Sequence, residues 1–417
     1  MERDLRLLSL GYAVRTFGAA IYNPFLALFL YSILHVGYLE LGIIFVGLGA
    51  LQLPFGFVGG LWTDRVGRRR LIVLSLAAEA TSTAALAYAF QIHSLVLGVA
   101  VAGVAGCVLA ATGPAFSAYI ADWERDSERT MAFTWYRISF NAGFAAGVAV
   151  GGSLVVYLGF PWTVALSAAI IGVATLIVLA FLRPSPYDQE MRSKAPSPTS
   201  AKSPKATAPH SRSLRESFSL LLADRTALLA ALGFALVGLT SSQWNVTYSL
   251  FVHNKMGISY AMLGIGFALN GVVVVVGQFS TTRMVLGLRH TTIAILGGAL
   301  YVAAFLMLGL STLLLLLPLA FFFLATLVLT VGENLGSIPT STLPSNLAPS
   351  GEVGAYNGAF GTFAGASGLA AVFIGGAVLA SVSNPLLEWG IMVLPAFPGF
   401  LLLRYAATRI PIQKDRA

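Results

Sequence analysis

Apolar stretches of about 18 or more residues, each long enough to cross a hydrocarbon core roughly 30 Å thick, recur along the whole chain. The first, LLSLGYAVRTFGAAIYNPFLALFL, runs from Leu7 to Leu30, carries no short-core-plus-cleavage-site pattern, and simply becomes the first span. Such runs leave few folds open, because in lipid every backbone polar group must be satisfied internally. A closed β-barrel would show short alternating segments, and none are visible. The composition agrees: 57% of the 417 residues are hydrophobic and 10% are charged, far from the balance of a water-soluble domain. The chain is read as an all-α integral membrane protein.

Apolar runs between charge and turn clusters fall near 7–30, 40–62, 70–91, 95–121, 131–157 and 162–182, then near 226–252, 259–282, 291–310, 312–338, 353–381 and 386–405. That makes twelve transmembrane helices in two pseudo-symmetric six-helix bundles. The basic residues are distributed one-sidedly. With the N-terminus inside, all but Arg15, Arg137 and Lys255 of the 25 Lys and Arg fall in inner segments or tails. The positive-inside bias then puts both termini in the cytoplasm of a cell-membrane protein. The net charge of +8 is thus topological and calls for no nucleic-acid partner. The single cysteine, Cys107, excludes an intramolecular disulfide.

Tyr187 to Ser213, YDQEMRSKAPSPTSAKSPKATAPHSRS, is rich in Pro, Ser, Ala and Lys and reads as linker. The expected organisation is a bundle at 1–183, a flexible cytoplasmic linker at 184–223 and a second bundle at 224–417. The halves share a faint repeat: GLWTDRVGRRRLIV after the second span has a degraded counterpart, STTRMVLGLRHTTIAI, after the eighth. Parallel repeats of this kind make a transporter with a site between them.

The stretch Gly60-Leu-Trp-Thr-Asp64-Arg65-Val-Gly67-Arg68-Arg69-Arg70 resembles the G-x-x-x-D-R-x-G-R-R signature of the major facilitator superfamily, at the family's usual place between spans 2 and 3. Ala118 to Leu154 is similar to the span 4–5 region of drug:proton antiporter-type members. There the glycine series reads Gly143-Phe-Ala-Ala-Gly147-Val148-Ala-Val-Gly151-Gly152, with Val148 in place of the family's proline. The resemblance implies alternating access between two halves. It also implies a cytoplasmic gate in which Gly60 and Gly67 permit close approach and a tight reversal. Asp64 would face the start of span 11 near Gly351, and Arg65 and Arg68 would pair with acids at the inner end of span 4, Asp122 first. Arg69 and Arg70 read chiefly as topological anchors.

Charges inside spans are costly and functional by default. Arg15, Arg137 and Glu333 lie roughly 8–13 Å in from the cytoplasmic ends of spans 1, 5 and 10, counted at about 1.5 Å per residue. An Arg137–Glu333 pair bridging the halves is geometrically possible; it would couple protons to rocking or be a permanent buried pair. Glu79, near mid-membrane in span 3, is expected to be structural, protonated or hydrogen-bonded unless Arg15 reaches it. Candidate cavity residues are Tyr22, Asn23, Tyr136, Asn141, Gln243, Trp244, Asn245, Tyr248, Asn270, Gln278 and Asn334. Aromatic platforms with few hydrogen-bonding groups suit an amphipathic small molecule. Glu40 and Glu388, at span ends, read as interfacial.

No catalytic constellation, phosphate loop, metal-ligand cluster or cofactor motif is present, so the chain is read as a transporter and not an enzyme. It is expected to act as a monomer driven by a gradient, read as protons. Three readings follow: proton-coupled exporter of hydrophobic or amphipathic compounds, importer or facilitator of a polar metabolite such as a sugar or organic anion, and non-transporting sensor on the same fold.

Overall fold

The computed structural model describes residues 3–123, 126–193, 222–313, 317–349 and 352–416. Among these the chain is helical, and twelve helical segments are long and apolar enough to cross a membrane. All-round hydrophobicity is what a lipid-embedded helix requires, because its outward face meets hydrocarbon and its inward face meets other helices.

The first half contributes α1 (Arg3–Ala20), α2 (Leu26–Ser32), α3 (Tyr38–Val66), α4 (Arg68–Gln91), α5 (Leu95–Trp123), α6 (Asp126–Leu158), α7 (Phe160–Phe181) and α8 (Pro186–Ser193). The second contributes α9 (Arg225–Ser241), α10 (Thr247–Asn254), α11 (Tyr260–Val285), α12 (His290–Leu313), α13 (Pro318–Leu347), α14 (Val353–Ser381), α15 (Pro385–Val393), α16 (Ala396–Arg409) and the short α17 (Ile412–Asp415). Two compact units result. Unit 1 is Met1–Val36, Ile44–Pro204 and Ser259–Val272; unit 2 is Gly37–Ile43, Lys205–Ile258 and Val273–Ala417. The linker expected from 184 to 223 therefore begins with an ordered helix, α8, while 194–221 lies outside the described residues.

The core of unit 1 gathers Leu8, Ile72, Phe116, Tyr119 and Val178, from α1, α4, α5 and α7. That of unit 2 gathers Ala230, Leu343, Tyr356, Phe360 and Ala406, from α9, α13, α14 and α16. The glycine series of α6 divides into two faces. Gly143, Gly147 and Gly151, four apart, press on the carbonyl oxygens of Ala13 and Phe17 of α1 and of Ile21 just beyond it. A side chain at any of them would collide with backbone, so the spacing permits a close helix crossing. On the other face, Gly152 lies against Tyr260 and the Val148 carbonyl meets Gly264 of α11. Val148 itself is fully buried.

The first span of each half is interrupted by a short 3-10 turn. Span 1 breaks at a 3-10 turn over Asn23–Phe25, where Pro24 can supply no backbone N–H. Span 7 breaks at a 3-10 turn over Ser242–Trp244 without any proline. Its cause is tertiary: Gln243 donates to the Ala371 carbonyl of α14 at 3.0 Å and accepts from Thr247 Oγ1 at 2.7 Å.

Candidate functional site

The charge burst of Asp64 to Arg70 spans the end of α3, one turn residue and the start of α4. Gly67 makes the turn at φ 96°, the left-handed region that favours glycine. A Cβ there would also come within 2.8 Å of Asp188 Oδ1. Asp188 projects from α8 and caps α4, its two carboxylate oxygens accepting from the backbone N–H of Arg68 at 2.7 Å and of Arg69 at 3.0 Å. A carboxylate at a helix N-terminus satisfies orphan donors and complements the dipole.

Arg68 is buried. Its Nε lies 3.0 Å from Asp122 Oδ2, a charge contact, and its guanidinium stacks on the Tyr187 ring at 3.3 Å from the centroid. Ser185 donates to the same Asp122 oxygen at 2.7 Å. Burial pushes the Asp122 carboxyl above its usual range, while the Ser185 hydroxyl and Arg68 pull it back. Arg69 is more than an anchor. It donates to the carbonyls of Leu182 at 2.6 Å and Leu179 at 2.8 Å, and so caps the end of α7. Arg65 and Arg70 are exposed. Gly60 and Asp64 lie in α3, where nothing further of either is described, and Gly351 lies outside the described residues.

Unit 2 carries a similar clasp. Gly287 turns at φ 87°, Arg289 donates to the carbonyls of Ala407 and Ile410, and Asp415 accepts from Thr291 N at 3.0 Å and Arg289 Nε at 2.7 Å. Gly67-Arg68-Arg69 thus matches Gly287-Leu288-Arg289. The glycine and the second arginine recur because each bundle needs them to turn the chain and tie its sixth span. Asp64, Arg65 and Arg68 correspond to Met284, Val285 and Leu288, so the fold by itself does not require them. The internal repeat separates scaffold from the residues special to the first half. Sequence reading missed Asp188 and Asp415, whose roles depend on contacts more than a hundred residues apart.

Among the intramembrane charges, Arg15 does reach Glu79. Arg15 and Glu79 form a two-bond ion pair inside unit 1, Nε to Oε2 at 2.9 Å and Nη2 to Oε1 at 2.6 Å. They are 5% and 6% exposed, so Arg15 does not face an aqueous cavity. Tyr12 and Tyr136 stack beside the pair, ring centroids 4.3 Å apart, and Tyr22 is buried in the same unit. Arg137 is exposed on α6, and its carbonyl accepts from Asn141 at 2.9 Å. Glu333 belongs to unit 2, where it lines a cavity of about 220 Å³ among α9, α12 and α13. Its neighbours include Ser241, Tyr301, Ser337, Thr340 and five glycines, and no other lining residue is charged.

Several expected cavity residues are spent on packing. Gln243 holds α14, Tyr248 is buried with its hydroxyl 2.7 Å from Thr326 Oγ1, and its ring lies 4.5 Å from Trp244. Asn334 is buried with its amide 3.4 Å from the Val273 carbonyl, and Gln278 reaches Asn334 O and Ser337. Asn270 is buried too. Asn23 and Asn245 behave otherwise: both are exposed, Asn23 opening the turn of span 1 and Asn245 following that of span 7, where its amide donates to the Ser242 carbonyl at 3.2 Å. Glu388 is fully buried within unit 2, with Lys255 Nζ at 3.1 Å. No cluster of three or more His, Cys, Asp or Glu able to hold a metal occurs among the described residues.

The sequence profile of the Major Facilitator Superfamily matches residues 8–372. An uncharacterized MFS-type transporter of Bacillus subtilis, YttB, is 23% identical over 360 residues, covering 86% of this chain and 84% of that protein. The class D tetracycline resistance protein of Salmonella ordonez is 33% identical over 144 residues, 34% of each chain. Among solved structures, a mutant of the nucleoside transporter NupG superposes with a TM-score of 0.77 at 11% identity, covering 96% of this chain and 99% of that one. An inward-facing bacterial homolog of the human lysosomal transporter Spinster gives 0.71 at 15% identity, covering 99% and 98%. At these identities the structural likeness is one of fold.

Proposed function

Since the chain belongs to the major facilitator superfamily, and is therefore a secondary transporter of the multi-pass membrane type, we propose that it exports hydrophobic or amphipathic small molecules in exchange for protons by alternating access. The observation that carries this reading is the division of charge. Arg15 is neutralised by Glu79 within unit 1, while Glu333 is the one charged side chain lining the unit 2 cavity. A carboxylate among glycines, hydroxyls and apolar groups can take up and release a proton, and it favours a cation over an anion. The anion-importer reading loses one of the two arginines it needed. The partial similarity to tetracycline resistance proteins supports export without identifying the cargo.

The exposed Asn23 and Asn245 supply hydrogen bonds to the substrate, since interrupted helices in transporters expose backbone and side-chain polar groups where cargo binds. Asp64, Arg65, Arg68 and Asp122 act as the cytoplasmic gate on the Gly67 turn, with both termini on that side of the cell membrane. In proteoliposomes, an imposed pH gradient drives movement of a cationic dye. Glu333→Gln abolishes that movement but leaves counterflow. Full gradient-driven transport by the variant sinks the coupling role; movement of an organic anion alone, lost in Arg137→Ala, sinks the exporter.

A further inference from the structure

At the end of unit 1 remote from the Gly67 turn lies a second cavity, of about 420 Å³, which no step of the proposed transport cycle uses. We propose that it is a binding site for one phospholipid acyl chain. Its floor is aromatic: Phe29 and Phe160 stack at 4.2 Å between ring centroids, and Phe90 backs Phe29 from behind at 4.5 Å. All three rings are buried. Ile33, Val156 and Pro161 form the walls. The Tyr260 hydroxyl is engaged by Ser32 at 3.4 Å, which leaves the His93 imidazole as the polar group at the rim.

Three physical points select an acyl chain. Water needs two to four polar partners to occupy a buried space, and this lining does not offer them, so the cavity excludes water. Its mouth residues Ile33 and Val156 are exposed and continuous with Tyr157 and Trp162, which are 85% and 65% exposed. Large apolar and aromatic side chains exposed near the end of a span face lipid at the membrane interface. The surrounding phase is therefore hydrocarbon, present at a concentration no solute approaches. A chain entering the pocket gains no hydrophobic transfer energy, having already left water. It gains dispersion contacts with the Phe29 and Phe160 rings that an empty pocket would forfeit. The loops bearing His93 and Gly159 sit at span ends, so the headgroup stays at the interface with an imidazole N–H in reach of its oxygens.

The site also has a structural reach. Its lining comes from α2 and the residue after it, α6, α7, the loops bearing His93 and Gly159, and the first residue of α11, so one chain touches the Gly152–Tyr260 contact from the side. The inference is independent of cargo and of coupling.

The test is native mass spectrometry of the full-length protein released from phosphatidylglycerol bilayers. The wild type carries one phospholipid, and its mass shifts by the bromine content when the bilayer is made from acyl-brominated lipid. Val156→Trp and, separately, Ile33→Trp fill the mouth and lower occupancy about tenfold. Leu176→Trp, on the exposed face of α7, leaves it unchanged. Absence of a lipid adduct on the wild type overturns the proposal, as does equal occupancy in both filled variants. Displacement of the adduct by a transported cationic dye also overturns it, by assigning the pocket to cargo.

Discussion

Replacing Glu79 with Gln leaves the Arg15 guanidinium inside unit 1 without its counter-charge. The two side chains are joined by bonds of 2.9 and 2.6 Å and are 5% and 6% exposed. Opposite charges about 4 Å apart attract by about 4 kcal/mol at an effective dielectric near 20. Removing one member of a buried pair costs about 3–5 kcal/mol, because the survivor keeps its desolvation penalty and loses its compensation. Gln still accepts one hydrogen bond, so Glu79→Gln sits near 3 kcal/mol and Glu79→Leu near 5. Arg15→Leu combined with Glu79→Leu removes both charges, and the double variant loses far less than the singles summed. The coupling energy is about 2 kcal/mol or more. The assay is reversible unfolding of purified protein in mixed micelles, for wild type, both Leu singles and the double. Additive losses refute the pair as an energetic unit. A Glu79→Gln variant as stable as wild type refutes the burial argument itself.

Gly67→Ala destabilises more than Gly287→Ala in the same unfolding assay. Both sites have positive φ, worth about 1–2 kcal/mol against an L-residue, but only Gly67 also meets a carboxylate oxygen. Asp415→Ala costs more than Asp188→Asn. Each carboxylate accepts three hydrogen bonds, but Asn keeps an acceptor oxygen where Ala keeps none, so the first exceeds the range of about 0.5–2 kcal/mol usual for a cap. Acidification tests Asp122: its folded pKa is raised, so its contribution to stability is present at low pH and is lost as pH rises through the folded value. The difference in melting temperature between wild type and Asp122→Asn therefore shifts in favour of wild type as pH falls from neutral towards about 4, the ordinary carboxylate range. Asn23→Ala and Asn245→Ala each raise the KM for a transported dye without altering melting temperature, whereas Gln243→Ala lowers melting temperature through its lost bond to α14.

Much of the architecture was legible in the chain because membrane helices answer to a local rule: about twenty apolar residues in succession must span, and flanking arginines choose a side. The candidate site was legible only in part. Asp64 to Arg70 announced itself as charge within an apolar chain. The roles inside it did not, since Arg69 caps α7 and Gly67 serves a turn shared by both halves. Arg15 and Glu79 could be suspected from burial cost, yet their mutual choice depends on how α1 and α4 rotate about their axes.

By itself, then, the sequence determined that this chain spans a membrane twelve times, that its halves repeat, and that its family signature lies between spans 2 and 3. Composition and periodicity act over a single helix and need no partner. Only the tertiary structure decided what buried polar groups do. It turned Gln243 from a cavity residue into the strut that breaks span 7, and Asp188 from linker into the cap of α4. A polar group in a packed interior bonds to whatever the fold brings within 3 Å, and in these two cases the partner lies 128 and 120 residues away.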